Sequence, residues 1–434
     1  MKKAILCMML LAVWCGPVYG FDGGDGSADD PWQVATNEHL DNVRDDLTAH
    51  YIQIDHIDLK DDYPNWEPIA GGGSGDIFTG SYDGDGYKIE NLTIDRAGTD
   101  NVGLFGHIGE GAVIKNVRLA GVNVAGARGT GSLIGRVTGD TDTLIERSSA
   151  VRNTDTGGTV VGDGATGGLV GSHNSATETP GGTDNPVISQ CFADIDVSLS
   201  SNTEAGKDKF GGLAGCSQKG TIMDSYARGS VTVLDANADR IGGLVGCILF
   251  RGEIIRSYST GLVESTGTNV GGLVGNLTVQ GAGNNGVVTD SYWDIETSDM
   301  TTSAGGTGKT TAEMKNQSTF TNWDFNAIWS IDPDTNDGYP YLLWEDFVQP
   351  DSGDPPEPPE PPAVPKSRRA IVLDGVIDRV HVPHDDDDPL DVNGKSTLSV
   401  EAWVKKDSEQ SDEVAVVFKD RAYGLYLENG NEPA

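Results

Sequence analysis

The 434-residue sequence predicts a mainly β protein: a parallel β-helix, or solenoid, with capped ends, followed by a separate strand-rich segment. Three observations predict it. A Gly-framed apolar motif recurs six times, a strand-like apolar run follows each copy, and a Pro-rich acidic stretch then ends the pattern.

The motif is plainest at Gly242-Gly243-Leu244-Val245-Gly246, followed by Glu253-Ile254-Ile255-Arg256-Ser257-Tyr258. It returns at Gly271-Gly272-Leu273-Val274-Gly275 with Val287 to Tyr292, and at Gly211-Gly212-Leu213-Ala214-Gly215 with Thr221 to Tyr226. Earlier copies centre on Leu169 (with Val187 to Phe192), Leu133 (with Leu144 to Ser149) and Leu104 (with Val113 to Val117). The motif leucines at 104, 133, 169, 213, 244 and 273 are separated by steps of 29, 36, 44, 31 and 29 residues. Self-similarity at this period is the signature of stacked units. One unit is too small to bury its own apolar side chains, so each needs a neighbour above and below, about 4.8 Å away. Glycines permit tight corners and close approach of adjacent coils. Variable steps around a constant motif mean that the excess residues leave the coil as loops.

This repeat resembles the GLUG motif family, named for the Gly-Leu-(Val or Ile)-Gly core, over most of residues 20 to 347. The resemblance implies a non-catalytic β-solenoid of the kind found in large secreted bacterial surface proteins, some IgA-specific metallopeptidases among them. It implies location and architecture rather than activity.

Asp and Glu number 66 against 30 Lys and Arg, a net charge of -36. Such a chain is repelled by phosphate backbones, which excludes nucleic acid as an expected partner. Lys2 and Lys3 precede an apolar run from Ala4 to Trp14, then Gly16-Pro17, Val18 and Gly20, so residues 1–20 read as an export signal. The run is too short to span a bilayer, which takes about 20 residues. Cys15 raises a lipoprotein alternative, against which bulky Trp14 argues. Removing the signal leaves Cys191, Cys216 and Cys247, an odd number. Cys216 and Cys247 each follow the last Gly of a motif and belong at equivalent places on neighbouring coils. A stacked pair of buried thiols is expected there, with a disulfide clamp as the other reading.

Taken in order, Thr36 caps a helix running to about His50 with Leu40, Val43 and Leu47 on one face, suited to cover the open end of the column. Ile52, Ile54, Ile57 and Leu59 suggest the first strands. Phe78 to Ile94 reads as strand, turn at Asp83-Gly84-Asp85-Gly86, and strand, without the closing Glu of a calcium loop. Coils continue from Val102 to Tyr292, with polar inserts expected near residues 153–165, 173–185 and 201–209. Gly305 to Thr310 resembles a phosphate-binding loop but has Ser303 where its first Gly is required. From Ser303 to Trp344 the many aromatics, Phe320, Trp323, Trp329 and Tyr341 among them, are expected to form the core of the far cap. An aromatic platform for sugar is the sharper alternative.

Residues 348–369 form a Pro-rich, acidic linker suited to extended polyproline. Beyond it lie strand-like runs at Ala370 to Pro383, Ser396 to Val404, Val414 to Phe418 and Tyr423 to Leu427. With the Asp374-Gly375 turn, Asp378 and Glu401-Ala402-Trp403, they are similar to the opening of LamG-like, concanavalin-type jelly-roll domains. That implies a partial β-sandwich over residues 370–434 that binds glycans or protein surfaces, calcium being a possible cofactor of the family. The run Asp385 to Asp388 reads more simply as a solvated turn.

No catalytic, cofactor-binding or metal-binding residue is assigned, and ligand contacts stay open. None of the seven histidines begins a His-Glu-x-x-His pattern, and Gly131-Ser132 is no nucleophile elbow. The expected function is that of a secreted, non-enzymatic bacterial surface protein whose solenoid stalk presents the LamG-like module for adhesion to a glycan or extracellular protein. The alternative is the non-catalytic front of a larger secreted peptidase or carbohydrate-active enzyme.

Overall fold

The computed structural model describes residues 20–346, apart from 72–74, 139–142, 154–156, 175–185, 201–206 and 278–284, and the backbone of one hairpin further on. Residues 1–19 of the expected signal, the linker and the Asp385 to Asp388 run lie outside the described residues. So does most of 370–434. There Val414–Phe418 and Tyr423–Leu427, two of the expected runs, pair antiparallel. The chain divides into compact units at Pro358 and Pro359.

The first unit is a parallel β-solenoid of about seven turns. A full turn visits five faces: Phe105–Gly109 on face I, Val113–Lys115 on face II, Arg118–Ala120 on face III, Asn123–Ala125 on face IV and Arg128–Thr130 on face V. Ile134–Thr138 then returns to face I, pairing in parallel with Phe105–Gly109. All six Gly-Leu motifs lead into face I, and the run after each motif supplies a strand of face II. The six motif leucines are fully buried in one continuous core. Their backbones form a ladder in which Leu169 N–H donates to Leu213 O, Leu213 to Leu244 O and Leu244 to Leu273 O, each at 2.9 Å.

Two local devices hold the coils in register. The corner between faces II and III falls on Asn116, Arg147, Gln190, Asp224, Arg256 and Asp290, all left-handed with φ between 45° and 55°. The next residue is Ser in four of the last five copies, and its hydroxyl is shared between layers. Ser257 Oγ donates to Ile255 O and accepts from Ser225 N–H; Ser225 Oγ donates to Met223 O and accepts from Cys191 N–H. This column satisfies backbone donors that the turn would otherwise bury unpaired. Cys191 takes one serine place; burial pushes its thiol up to about 12, so it serves as a protonated donor to Ser189 O.

Several expectations change. Thr36 does cap the helix, accepting from His39 N–H, but the helix covers only Asn37–Asn42, with a 3-10 turn at Val43–Asp45. It stops early because His50–Gln53 is needed as a strand, pairing with an unanticipated strand at Trp32–Val34. In that strand Tyr51 and Gln53 point inward and Ile52 outward. Tyr82 O–H donates to Gln53 Oε1, so the buried amide is satisfied inside the first layers. The strand, turn and strand expected around Asp83 to Gly86 are present, with Ser81–Asp83 and Lys88–Glu90 on different faces, so that turn is a coil corner. The expected insert at 153–165 instead contains strands Thr159–Gly162 and Gly164–Gly167. Cys216 and Cys247, register partners on face I with Cα atoms 4.6 Å apart, are joined as a disulfide, not stacked as thiols. Thr307–Lys309 extends face III as its edge strand, and Thr310 caps a helical turn with Glu313, so the glycines before them build a coil.

His173 belongs to an inward column of face I with Val137, Ser217 and Ile248. Its Nδ1 lies 2.8 Å from Ser217 Oγ, while Nε2 is buried without a partner. Burial pulls its pKa from 6.5 to about 3. Between those values the unfolded chain takes up a proton that the folded chain refuses, so stability falls as pH drops, by about 1.4 kcal/mol per unit. Urea unfolding at pH 6.5 and 4.5 should show the wild type losing roughly 2–3 kcal/mol more than His173→Leu over that interval. Equal losses would remove His173 as the cause.

Candidate functional site

The in-register stacking that builds the core also places side chains in rows on the outside. On face III, Phe192, Tyr226, Tyr258 and Tyr292 are successive register partners, each following the corner residue pair. Their inward neighbours are Ala193, Ala227, Ser259 and Trp293, so the four rings project from the column. Strand spacing sets ring spacing: Phe192 and Tyr226 stack at 4.8 Å and Tyr226 and Tyr258 at 4.9 Å, with their planes nearly parallel in both cases.

The aromatic stretch expected as a far cap covers this row. Residues 294–309 close over the last turn, Gly272 N–H donating to Thr302 O and Ala304 N–H to Val274 O. Residues 310–346 then form a strap that runs back along face III. Trp323 donates to Asp290 O, Trp329 to Asp224 Oδ1, Tyr258 to Pro340 O, Trp344 to Gln190 O and Arg118 to Glu345 O. Phe320, Trp323, Trp329 and Tyr339 pack with the face III rings into a second apolar cluster.

Between strap and column lies a cleft of about 290 Å³. Its apolar lining is Val151, Phe192, Tyr226 and Tyr341. Its polar groups are Asp194 and Arg228 from the column and Thr335, Asn336 and Glu345 from the strap. Arg152 pairs with Asp194 at 2.7 Å. Glu345 accepts from Tyr226 O–H at 2.7 Å and Leu342 N–H at 2.6 Å. Burial, with the Glu345 carboxylate adding to it, pushes the Tyr226 phenol well above its ordinary range and fixes it as a donor. Arg228 donates through its two terminal nitrogens to Asn336 and Asp337, while its Nε is buried with no partner. A second, more open groove of about 620 Å³ runs between Phe320, Trp323, Phe325 and the amides of Asn316, Gln317 and Asn326.

The sequence pointed to Tyr341 and Trp323 as possible platform residues but not to Asp194, Arg228, Asn336 or Glu345. Asp194 and Arg228 stand two residues after their rings, a regularity visible in the sequence once face III is known. No cluster among the described residues has the His, Cys, Asp or Glu set to hold a metal ion.

The fold is shared with known proteins. The chain matches no protein-family model. It is 30% identical, over an alignment of 401 residues, to an Evansella cellulosilytica protein named "Putative Gly-rich membrane protein", covering 74% of this chain and 45% of that one. It is 35% identical over 162 residues to Halomucin of Haloquadratum walsbyi, covering 35% of this chain and 2% of Halomucin. The chain thus spans less than half the length of either relative. Among solved structures it is similar to one described as a "putative immunoglobulin A1 protease" from Bacteroides ovatus, with a TM-score of 0.54 and 20% identity, covering 75% of this chain and 95% of that one. At that identity the likeness is one of fold. No helix among the described residues is long and apolar enough to cross a membrane.

Proposed function

We propose that the chain is an exported, non-enzymatic surface protein whose solenoid, residues 21–347, carries a LamG-like adhesive module, residues 370–434, on a Pro-rich arm, residues 348–369. The observation that carries this reading is the unbroken column itself. About seven layers at roughly 4.8 Å each give a rigid rise of roughly 34 Å. The Cys216–Cys247 disulfide supports export, because such bridges persist in oxidising compartments. A Gly-rich relative named as a membrane protein agrees with a place at the cell surface. GLUG-type repeats and a glycan- or protein-binding jelly roll belong to the same reading and rest on the motifs quoted above.

Antibody against the solenoid should label intact cells or the culture medium, and the full chain should bind members of a glycan or matrix-protein array. Confinement to the cytoplasm would remove the surface assignment. Uniform silence on the glycan array would remove carbohydrate as the adhesive partner.

A further inference from the structure

We infer that Asn316, on the strap, is an attachment site for an N-linked glycan. The tripeptide Asn316-Gln317-Ser318 has the Asn-x-Ser pattern that marks an asparagine accepting a glycan on the surface of an exported protein. Two other tripeptides among the described residues begin the same pattern, and their surroundings set them apart. Asn91 Nδ2 already donates to Asp58 Oδ1 at 2.8 Å, and Leu92 after it is fully buried in the core. Asn276 needs Thr278, which lies outside the described residues. At Asn316 all three residues are exposed.

The local geometry leaves the reacting atom free. Asn316 Oδ1 accepts from Ser318 N–H at 3.1 Å and from Ser318 Oγ–H at 2.9 Å. A backbone N–H can only donate, so the oxygen is the atom held in the turn, and Nδ2 stands on the other side of the amide with no partner among the described residues. Capping of the 3-10 turn Gln317–Thr319 accounts for the asparagine. It does not call for the hydroxyl at 318, nor for the surface alongside. The groove of about 620 Å³ that Asn316 helps to line has no ionisable side chain, in a chain with 66 acidic and 30 basic residues. Half-buried Phe325 and the exposed amides of Gln317 and Asn326 leave apolar and hydrogen-bonding surface there for the first sugars of the glycan. In the transfer, Nδ2 bonds to the anomeric carbon of a polyprenyl-phosphate-linked glycan, and the bond from that carbon to the phosphate oxygen breaks. The lipid phosphate leaves with the electron pair, and one amide proton passes to a base of the transferase. The inference rests on the export reading above, because such a donor is met at the outer face of the membrane.

The test is mass spectrometry of the full chain purified from its own cells, with its N-terminus read and its peptides fragmented under conditions that keep sugars attached. The peptide containing Asn316 should carry a saccharide mass on the asparagine itself, and the peptide containing Asn91 should be bare. Ser318→Ala, expressed in the same cells, should lose the modification, and Ser318→Thr should restore it. A bare Asn316 in a chain that begins at Phe21 overturns the site while leaving export intact. Saccharide retained on Asn316 in Ser318→Ala, or found on Asn91 alone, also overturns it. A chain that still begins at Met1 overturns the export reading, and the site with it.

Discussion

Gly212→Ala should destabilise the column about as much as Leu213→Ala, although it adds a methyl group and the other removes an isopropyl. A Cβ on Gly212 would sit 2.2 Å from Gly243 O and 2.8 Å from the Ala227 methyl. Gly243 repeats the arrangement one layer on, its Cβ falling 2.1 Å from Gly272 O. Backbone of the next coil cannot swing aside as a side chain can, so the layers must separate, at about 3 kcal/mol or more. Leu213 is fully buried, and its truncation should cost about 3–5 kcal/mol through lost transfer energy and the cavity left behind. Gly98→Ala is the control, since nothing lies within 4 Å of a Cβ there. Urea midpoints should fall for the first two and hold for the third. A Gly212→Ala protein as stable as wild type would mean that the coils are not in direct backbone contact.

Loss of the inter-coil disulfide should have an effect of similar size. Cys216 and Cys247 are 31 residues apart, and opening a loop of that length restores chain entropy to the unfolded state worth roughly 3–4 kcal/mol. The paired variant Cys216→Ala with Cys247→Ala should therefore melt well below the oxidised wild type. Because both residues sit almost fully buried beside Leu249 and Phe250, reductant should act slowly on the folded protein and quickly once it is loosened by urea. Equal midpoints for the oxidised wild type and the paired variant would return the cysteines to the stacked thiols that their sequence positions first suggest.

The layered core was legible because its geometry repeats. A Gly that must face a neighbouring carbonyl and a Leu that must face a neighbouring Leu recur together, as at Gly212-Leu213 and Gly243-Leu244. The number of faces was not legible. Strands such as Asn123–Ala125 and Arg128–Thr130 turn one residue or two inward, so alternation never runs long enough to be seen, and Thr130 is an inward residue that is not apolar. The same shortness hid the strands within 153–165. For the cleft, the recurrence of Phe192, Tyr226, Tyr258 and Tyr292 was visible, but whether those rings faced in or out depended on the left-handed corner before them. Nothing local ties Glu345 to Tyr226, or Asn336 to Arg228. Those pairs exist only because the aromatic stretch doubles back along face III instead of closing the end of the column.

That doubling back constrains how the molecule can change length. The strap is a single brace of fixed span, pinned at Asp290, Asp224, Gln190 and Arg118 by contacts that each require a particular layer. Duplicating or excising a turn between Arg118 and Asp290 would slide every later anchor one storey out of place, whereas turns added ahead of Arg118 would leave the brace untouched. Growth of this column by repeat gain is therefore open at its leading end and locked at its trailing end.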